Sequence, residues 1–135
     1  MKKIIINQLK KLNKKALKYG DVPVSCIIIK NNKIISKEYN KKNKKNNPFA
    51  HAEILAIIKA AKKNKAFNLN DCELYVTLEP CDMCKAVISE ARIKKVYYIL
   101  KKTKSINNTV NYKLLNDYEN NYFLKEIKEF FVNKR

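Results

Sequence analysis

"PFAHAEILAI" at residues 48–57 and "TLEPCDMC" at residues 77–84 are the two stretches that say most about the fold and chemistry of this chain. The first contains the only histidine of the chain, His51, two residues before Glu53. The second places Cys81 and Cys84 directly after Pro80, a residue type well suited to opening a helix. We expect both groups in the first turns of two helices, where residues three apart share a face, so that both sulfurs can point to one place.

Imidazole and thiolate are typical zinc ligands, and His51, Cys81 and Cys84 would leave a fourth position for water. Helix N-termini also favour thiolate over thiol. A structural zinc site does not need Glu53. On a helix that residue points roughly away from His51, so we predict a proton shuttle between water and substrate rather than a ligand. An incidental or redox-active Cys-x-x-Cys pair and a structural zinc site are the alternatives.

The remaining pattern predicts α/β layers, with a parallel crossover between two strands around one helix. Apolar spacing and turn residues predict helices at 2–18, 50–63, 81–91 and 122–135, and strands at 22–30, 33–40, 72–78 and 93–100. Gly20 ends the first helix, and Asn31 and Asn32 join the first two strands as a hairpin. Residues 41–48 read as a polar loop, and 101–121 are weakly patterned. The core side of the last helix is expected to comprise Phe123, Leu124, Ile127, Phe130 and Phe131.

The 135 residues suit one domain, 1–135, with a net charge of +18. This charge fits a polyanion partner such as nucleic acid, but a Lys-, Asn- and Ile-rich composition explains it equally well. No stretch is long enough for a signal peptide or membrane span, so we expect a cytoplasmic protein with reduced thiols or metal-bound cysteines. Cys26 is expected to be a buried small hydrophobe and Cys72 to begin a strand, with no assigned role.

His-x-Glu followed by Pro-Cys-x-x-Cys is the signature of zinc deaminases. From about Tyr19 to Ile99 the chain resembles the bacterial-type tRNA-specific adenosine deaminases of the cytidine deaminase-like superfamily. The similar segments are "GDVPVSCIII", "AHAEILAI", "LYVTLEPCDMC" and "ARIKKVYY", and "EFFVNKR" resembles the family's final helix. The resemblance implies a three-layer α/β fold with a mixed five-stranded sheet flanked by helices.

It also implies one Zn²⁺ per subunit held by His51, Cys81 and Cys84, with Glu53 as general acid and base. Asn40 would hydrogen-bond the flipped base, Ala52 would offer its backbone N–H, and Phe131 would contact RNA. The implied reaction converts adenosine to inosine at the wobble position of a tRNA anticodon arm. A homodimer would perform it, without an organic cofactor or a membrane.

The family's glycine-rich loop after the fourth strand is absent, because residues 100–111 contain no glycine. Lys104 aligns with the lysine of that loop, and "KKNKK" at 41–45, Lys134 and Arg135 offer further cations for phosphates. Two alternatives therefore stay open. One is a deaminase of a free base or nucleoside, such as cytosine, cytidine or guanine. The other is an inactive zinc-bearing RNA-binding partner subunit.

Overall fold

The computed structural model describes residues 1–102 and 110–133. Lys104, Lys134 and Arg135 lie outside the described residues. In chain order the elements are α1 (Lys2–Lys18), β1 (Ser25–Lys30), β2 (Lys33–Tyr39), α2 (Lys42–Lys45), α3 (Ala52–Asn64), β3 (Cys72–Leu78), α4 (Asp82–Glu90), β4 (Lys95–Leu100), β5 (Asn111–Leu114) and α5 (Asn120–Asn133). The predicted order is confirmed, with two additions, the single turn α2 and the strand β5.

The five strands form one mixed sheet in the order β2-β1-β3-β4-β5. Strand β1 runs antiparallel to β2 and β3, whereas β4 runs parallel to β3 and β5. Asn31 and Asn32 form the predicted hairpin turn, with φ angles of 51° and 60°, a region that asparagine tolerates. The parallel crossover from β3 through α4 to β4 is also confirmed.

Alternate side chains of the strands build a separate apolar layer on each face of the sheet. Cys26 and Ile28 of β1 belong to the layer under α3 and α4. Ile27 and Ile29 belong to the opposite layer, with α1 and Phe123 of α5. This arrangement confirms the three-layer α/β fold, and the full burial of Cys26 confirms its place in the core.

Segment 41–48 was predicted to be a polar loop, and this was wrong for Lys42–Lys45, which form α2. The carboxylate of Asp21 accepts the N–H of Asn43 at 2.7 Å and of Lys44 at 3.3 Å. It therefore caps the first turn of α2 from a distant part of the chain. The prediction failed because the capping residue lies outside the segment itself.

Helix α5 buries much less of its apolar stripe than its periodicity predicted. Phe123 is buried, but Leu124 is 39% exposed and Phe131 is 54% exposed. The predicted core side was therefore wrong for these two residues. A helical period marks an apolar stripe without showing how much of it meets the sheet.

Across residues 1–102 and 110–133, no helix combines the length and apolar character that crossing a membrane requires.

Candidate metal centre and active-site pocket

His51 and Cys81 are each the N-cap residue of a helix rather than part of its first turn. His51 precedes α3 with φ −73° and ψ 147°, and Cys81 precedes α4 with φ −70° and ψ 171°. Cys84 lies three residues into α4, and Pro80 stands before the cap. The sequence-based placement was therefore one residue too far into each helix. The extended N-cap backbone turns both side chains toward the space between the two helix starts.

The side chains of His51, Cys81 and Cys84 meet there as a group of three metal-ligating atoms within 4.8 Å of one another. Nδ1 of His51 lies 3.9 Å from Sγ of Cys81 and 3.4 Å from Sγ of Cys84. A tetrahedral zinc ion with ordinary bond lengths places nitrogen and sulfur ligands about 3.6 Å apart. The distances and the mixed nitrogen and sulfur donors therefore fit Zn²⁺.

The electrostatics of the group also suit a cation. Burial lowers the pKa of His51, and the charges of Lys42 and Lys102 lower it further, which keeps the imidazole neutral as a ligand must be. Burial, the charge of Glu53 and the neighbouring Cys81 raise the pKa of the Cys84 thiol. A thiolate at this position needs a cation beside it, because coordination to a metal deprotonates a thiol.

Glu53 lies in the first turn of α3 and lines the same pocket as His51 and Cys81. From the sequence, the side chain of Glu53 was expected to point roughly away from that of His51. Both face the pocket because His51 has extended rather than helical backbone. Only 4% of Glu53 is exposed. Burial raises its pKa to about 7, although a hydrogen bond with Cys84 and the charge of Lys102 oppose this shift.

The pocket beside the metal group has a volume of about 180 Å³. Pockets that hold drug-sized molecules span about 300–1,000 Å³, so only a small group such as one base fits inside. The lining residues are Val22, Val24, Asn40, Lys42, His51, Glu53, Leu78, Glu79, Cys81 and Lys102.

Asn40 is nearly buried in this pocket, and its Oδ1 accepts the backbone N–H of Ala52 at 2.9 Å. This bond fixes the orientation of the amide and leaves Nδ2 as the group that can donate. The N–H of Ala52 is directed at Asn40, and a hydrogen bond from this N–H to a substrate stays a prediction. Phe131 lies on α5 and is not among the residues that line the pocket. Its contact with RNA also stays a prediction.

The sequence reading missed the buried ion pair beside the pocket. Nζ of Lys85 lies 3.2 Å from Oε2 of Glu79, with 6% and 2% of the two side chains exposed. Oε1 of Glu79 accepts the backbone N–H of Lys102 at 2.9 Å. Lys85 also lies over the ring of Tyr112 on β5, 5.1 Å from its centroid. Glu79 stands inside the quoted "TLEPCDMC" stretch, of which only Pro80 and the two cysteines entered the prediction.

Residues 2–100 match the family model described as the cytidine and deoxycytidylate deaminase zinc-binding region. The tRNA-specific adenosine deaminase of Rickettsia bellii is 47% identical over 85 residues, which is 62% of this chain and 59% of that protein. The chain thus matches less than two thirds of the length of this curated relative.

Two solved structures are similar in fold and sequence. One comes from a study of A-to-I editing by tRNA:A34 deaminases at the tRNA wobble position. It has a TM-score of 0.75, 25% identity, and coverage of 85% of this chain and all of that chain. The other is guanine deaminase from Bacillus subtilis, with a TM-score of 0.64 and 39% identity, covering 69% of this chain and 62% of that chain.

The matched model is a zinc-binding region, and the His/Cys/Cys donor set lies within its span. Zn²⁺ is accordingly the metal cofactor of this chain. With 99 consecutive residues matched and the five-stranded layered fold in place, the chain belongs to the family of the cytidine and deoxycytidylate deaminase zinc-binding region.

Proposed function

We propose that this protein is a zinc-dependent hydrolase that deaminates adenosine to inosine at the wobble position of a tRNA anticodon. The observation that carries the proposal is the buried carboxylate of Glu53 in one pocket with the His51, Cys81 and Cys84 group. A purely structural zinc site has no use for a buried acid beside an open pocket. This activity would place the enzyme with tRNA in the cytoplasm.

In this proposal His51, Cys81 and Cys84 hold the metal, which when bound acts as a Lewis acid and lowers the pKa of water. Glu53 accepts a proton from the attacking water as the water oxygen bonds to C6 of the adenine and the C6–N1 π bond opens, and it delivers this proton to N1. Glu53 next carries the remaining proton of the former water from the C6 hydroxyl to the amino nitrogen. The bond from C6 to the amino nitrogen breaks as the C6 carbonyl forms, and inosine and ammonia leave.

Asn40 positions the base. Its Oδ1 is engaged by Ala52, so Nδ2 can donate a hydrogen bond to a ring acceptor of the base. A pocket sized for one base suits a nucleotide flipped out of an anticodon loop. Single-stranded loops are also the usual targets of sequence-specific RNA recognition, because their bases can be splayed out.

Deamination of a free base is the second candidate, and the 39% identity with guanine deaminase from B. subtilis supports it. The tRNA reading is favoured by the similarity to the tRNA-specific adenosine deaminase of Rickettsia bellii, and the +18 net charge is compatible with it. An inactive RNA-binding subunit is the third reading. It would not require Glu53, whose burial beside the metal group therefore argues against it.

The proposed function is tested by supplying the zinc-loaded protein with four substrates in parallel. These are an anticodon stem-loop with wobble adenosine, free adenosine, cytidine and guanine. We expect inosine from the stem-loop alone, measured by chromatography of the digested RNA. Conversion of a free base or nucleoside alone would replace the tRNA proposal with the second candidate. No conversion of any substrate by fully zinc-loaded protein would contradict both enzymatic candidates.

We also propose a homodimer, which the family resemblance implies. Three large apolar side chains, Phe49, Ile58 and Phe67, are 62%, 46% and 72% exposed, just before α3, on it and just after it. A second copy packed along α3 would bury apolar surface of this kind. We expect light scattering to give twice the mass of one 15.8 kDa chain, and Ile58→Glu to shift the protein to monomer. A monomeric wild type at working concentration would contradict this assembly.

A further inference from the structure

Two lysines from distant segments, Lys42 and Lys102, line the pocket that holds Asn40 and Glu53. Both are exposed, and neither ammonium group forms an ion pair with any residue in 1–102 or 110–133. Their neighbour Lys41 differs, because it pairs with Glu38 at 2.8 Å. The pocket therefore has two ammonium groups that form no ion pair among the described residues, around a space sized for one base, and the charge of Lys102 also acts on the buried Glu53 there.

The segment that bears Lys42 is held by Asp21, which is 4% exposed. Its carboxylate oxygens accept the N–H groups of Asn43 and Lys44, the second and third residues of α2. The carboxylate thus orders the backbone around Lys42 and forms no salt bridge with its ammonium group.

Lys102 is held in the same manner by the buried carboxylate of Glu79. Oε1 accepts the backbone N–H of Lys102, and Oε2 pairs with Lys85. The negative charge of Glu79 is therefore balanced inside the protein by Lys85. The ammonium group of Lys102 is left without a partner among the described residues, although its backbone is anchored.

We propose that Lys42 and Lys102 form a clamp for a phosphate group of the substrate, next to the base in the pocket. Two like charges around one small pocket repel each other, and an anion between them relieves that repulsion. The pocket has room for the base, so the sugar and its phosphates are left at the mouth, where these lysines lie. The clamp deepens the proposed function and rests on a nucleotide being the substrate.

The test compares Lys42→Gln, Lys102→Gln and the double variant with matched controls. Lys63→Gln is the control near the end of α3, and Lys101→Gln is the control beside Lys102; neither residue lines the pocket. All proteins are zinc-loaded. The Kd for the anticodon stem-loop is measured by fluorescence anisotropy at several salt concentrations, and the KM and kcat for deamination are measured in parallel.

We expect the double variant to bind the stem-loop about 10- to 100-fold more weakly, with KM raised and kcat nearly unchanged. The slope of log Kd against log salt concentration should fall by about 0.7 for each lost phosphate contact, as for single strands. The control variants should change Kd by much less. Equal weakening in test and control variants would overturn the clamp, because it would reflect net charge alone.

Competition by adenosine 5′-monophosphate and by adenosine distinguishes the source of the phosphate. Lysine-dependent competition by the monophosphate would assign the clamp to mononucleotides, whereas its absence would assign it to the polynucleotide backbone. The binding assay does not need turnover. A stem-loop that binds through both lysines without being deaminated would contradict the proposed function and support the clamp. If the double variant deaminates the stem-loop with unchanged KM, this result would support the proposed function and contradict the clamp.

Discussion

Replacing Glu53 with alanine is expected to remove nearly all turnover while leaving zinc bound. Glu53 lines the pocket beside His51 and Cys81 but is not one of the three residues of the metal group. The variant therefore loses the proton acceptor and donor but keeps the proposed ligands. General acid–base groups contribute about 10²–10⁴-fold to rates, and we expect kcat to fall by that factor. Inosine release gives kcat, and atomic emission gives the zinc content.

Glu53→Gln is the matched control because it keeps the volume and the hydrogen-bonding shape of the side chain. Glutamine cannot take and return a proton, so its kcat should be as low as that of the alanine variant. A glutamine variant with wild-type kcat would remove Glu53 from the proton transfer. If kcat falls only in variants that have also lost zinc, the residue instead supports the metal site.

Replacing Cys84 with serine is expected to abolish zinc binding and, with it, activity. Cys84 is fully buried, and its Sγ lies 3.4 Å from Nδ1 of His51. Serine removes the thiolate ligand and leaves a neutral hydroxyl. Because bound metal stabilises the folded state, zinc at a thousandfold excess over its Kd adds about 4 kcal/mol to the free energy of unfolding. A chelator should therefore lower the melting temperature of the wild type but not of Cys84→Ser.

Cys72→Ser provides the comparison, because Cys72 is also buried and lies at the start of β3, outside the metal group. It should keep one zinc per chain and respond to the chelator as the wild type does. Stoichiometric zinc in purified Cys84→Ser would exclude Cys84 from the ligand set. Loss of zinc from Cys72→Ser as well would point to general unfolding rather than ligand removal.

Local spacing and one signature in the sequence were sufficient to predict the main parts of the site. Local spacing placed His51, Cys81 and Cys84 at helix starts and both sulfurs on one side, and the zinc deaminase signature supplied the expectation that all three hold one metal. The hairpin at Asn31 and Asn32 could be predicted from local residues as well. The hairpin turn and each helix start are decided within a few residues, whereas the contacts of His51 with Cys81 and Cys84 span 30 and 33 residues.

Strand β5 and the exposed part of α5 could not be predicted from the residues. The strand has four residues, of which none is fully buried, so it lacks the apolar alternation that marks a half-buried strand. The pairing of Tyr98 with Leu114 and of the neighbouring residues places it beside β4. Phe131 belongs to the apolar stripe of α5 but remains exposed. The period of such a stripe does not determine which of its residues contact the sheet.

The sequence by itself determined the metal chemistry and the acid beside the metal group, because a short signature encodes both, and the order of the main helices and strands, because apolar periodicity and turn residues encode it. Only the tertiary structure decided how the pocket is bounded. Asp21 reaches α2 across 22 residues, and Glu79 reaches Lys102 across 23. Each carboxylate bonds to backbone N–H groups, which every residue type except proline has, so no side-chain pattern in the sequence marks the partner.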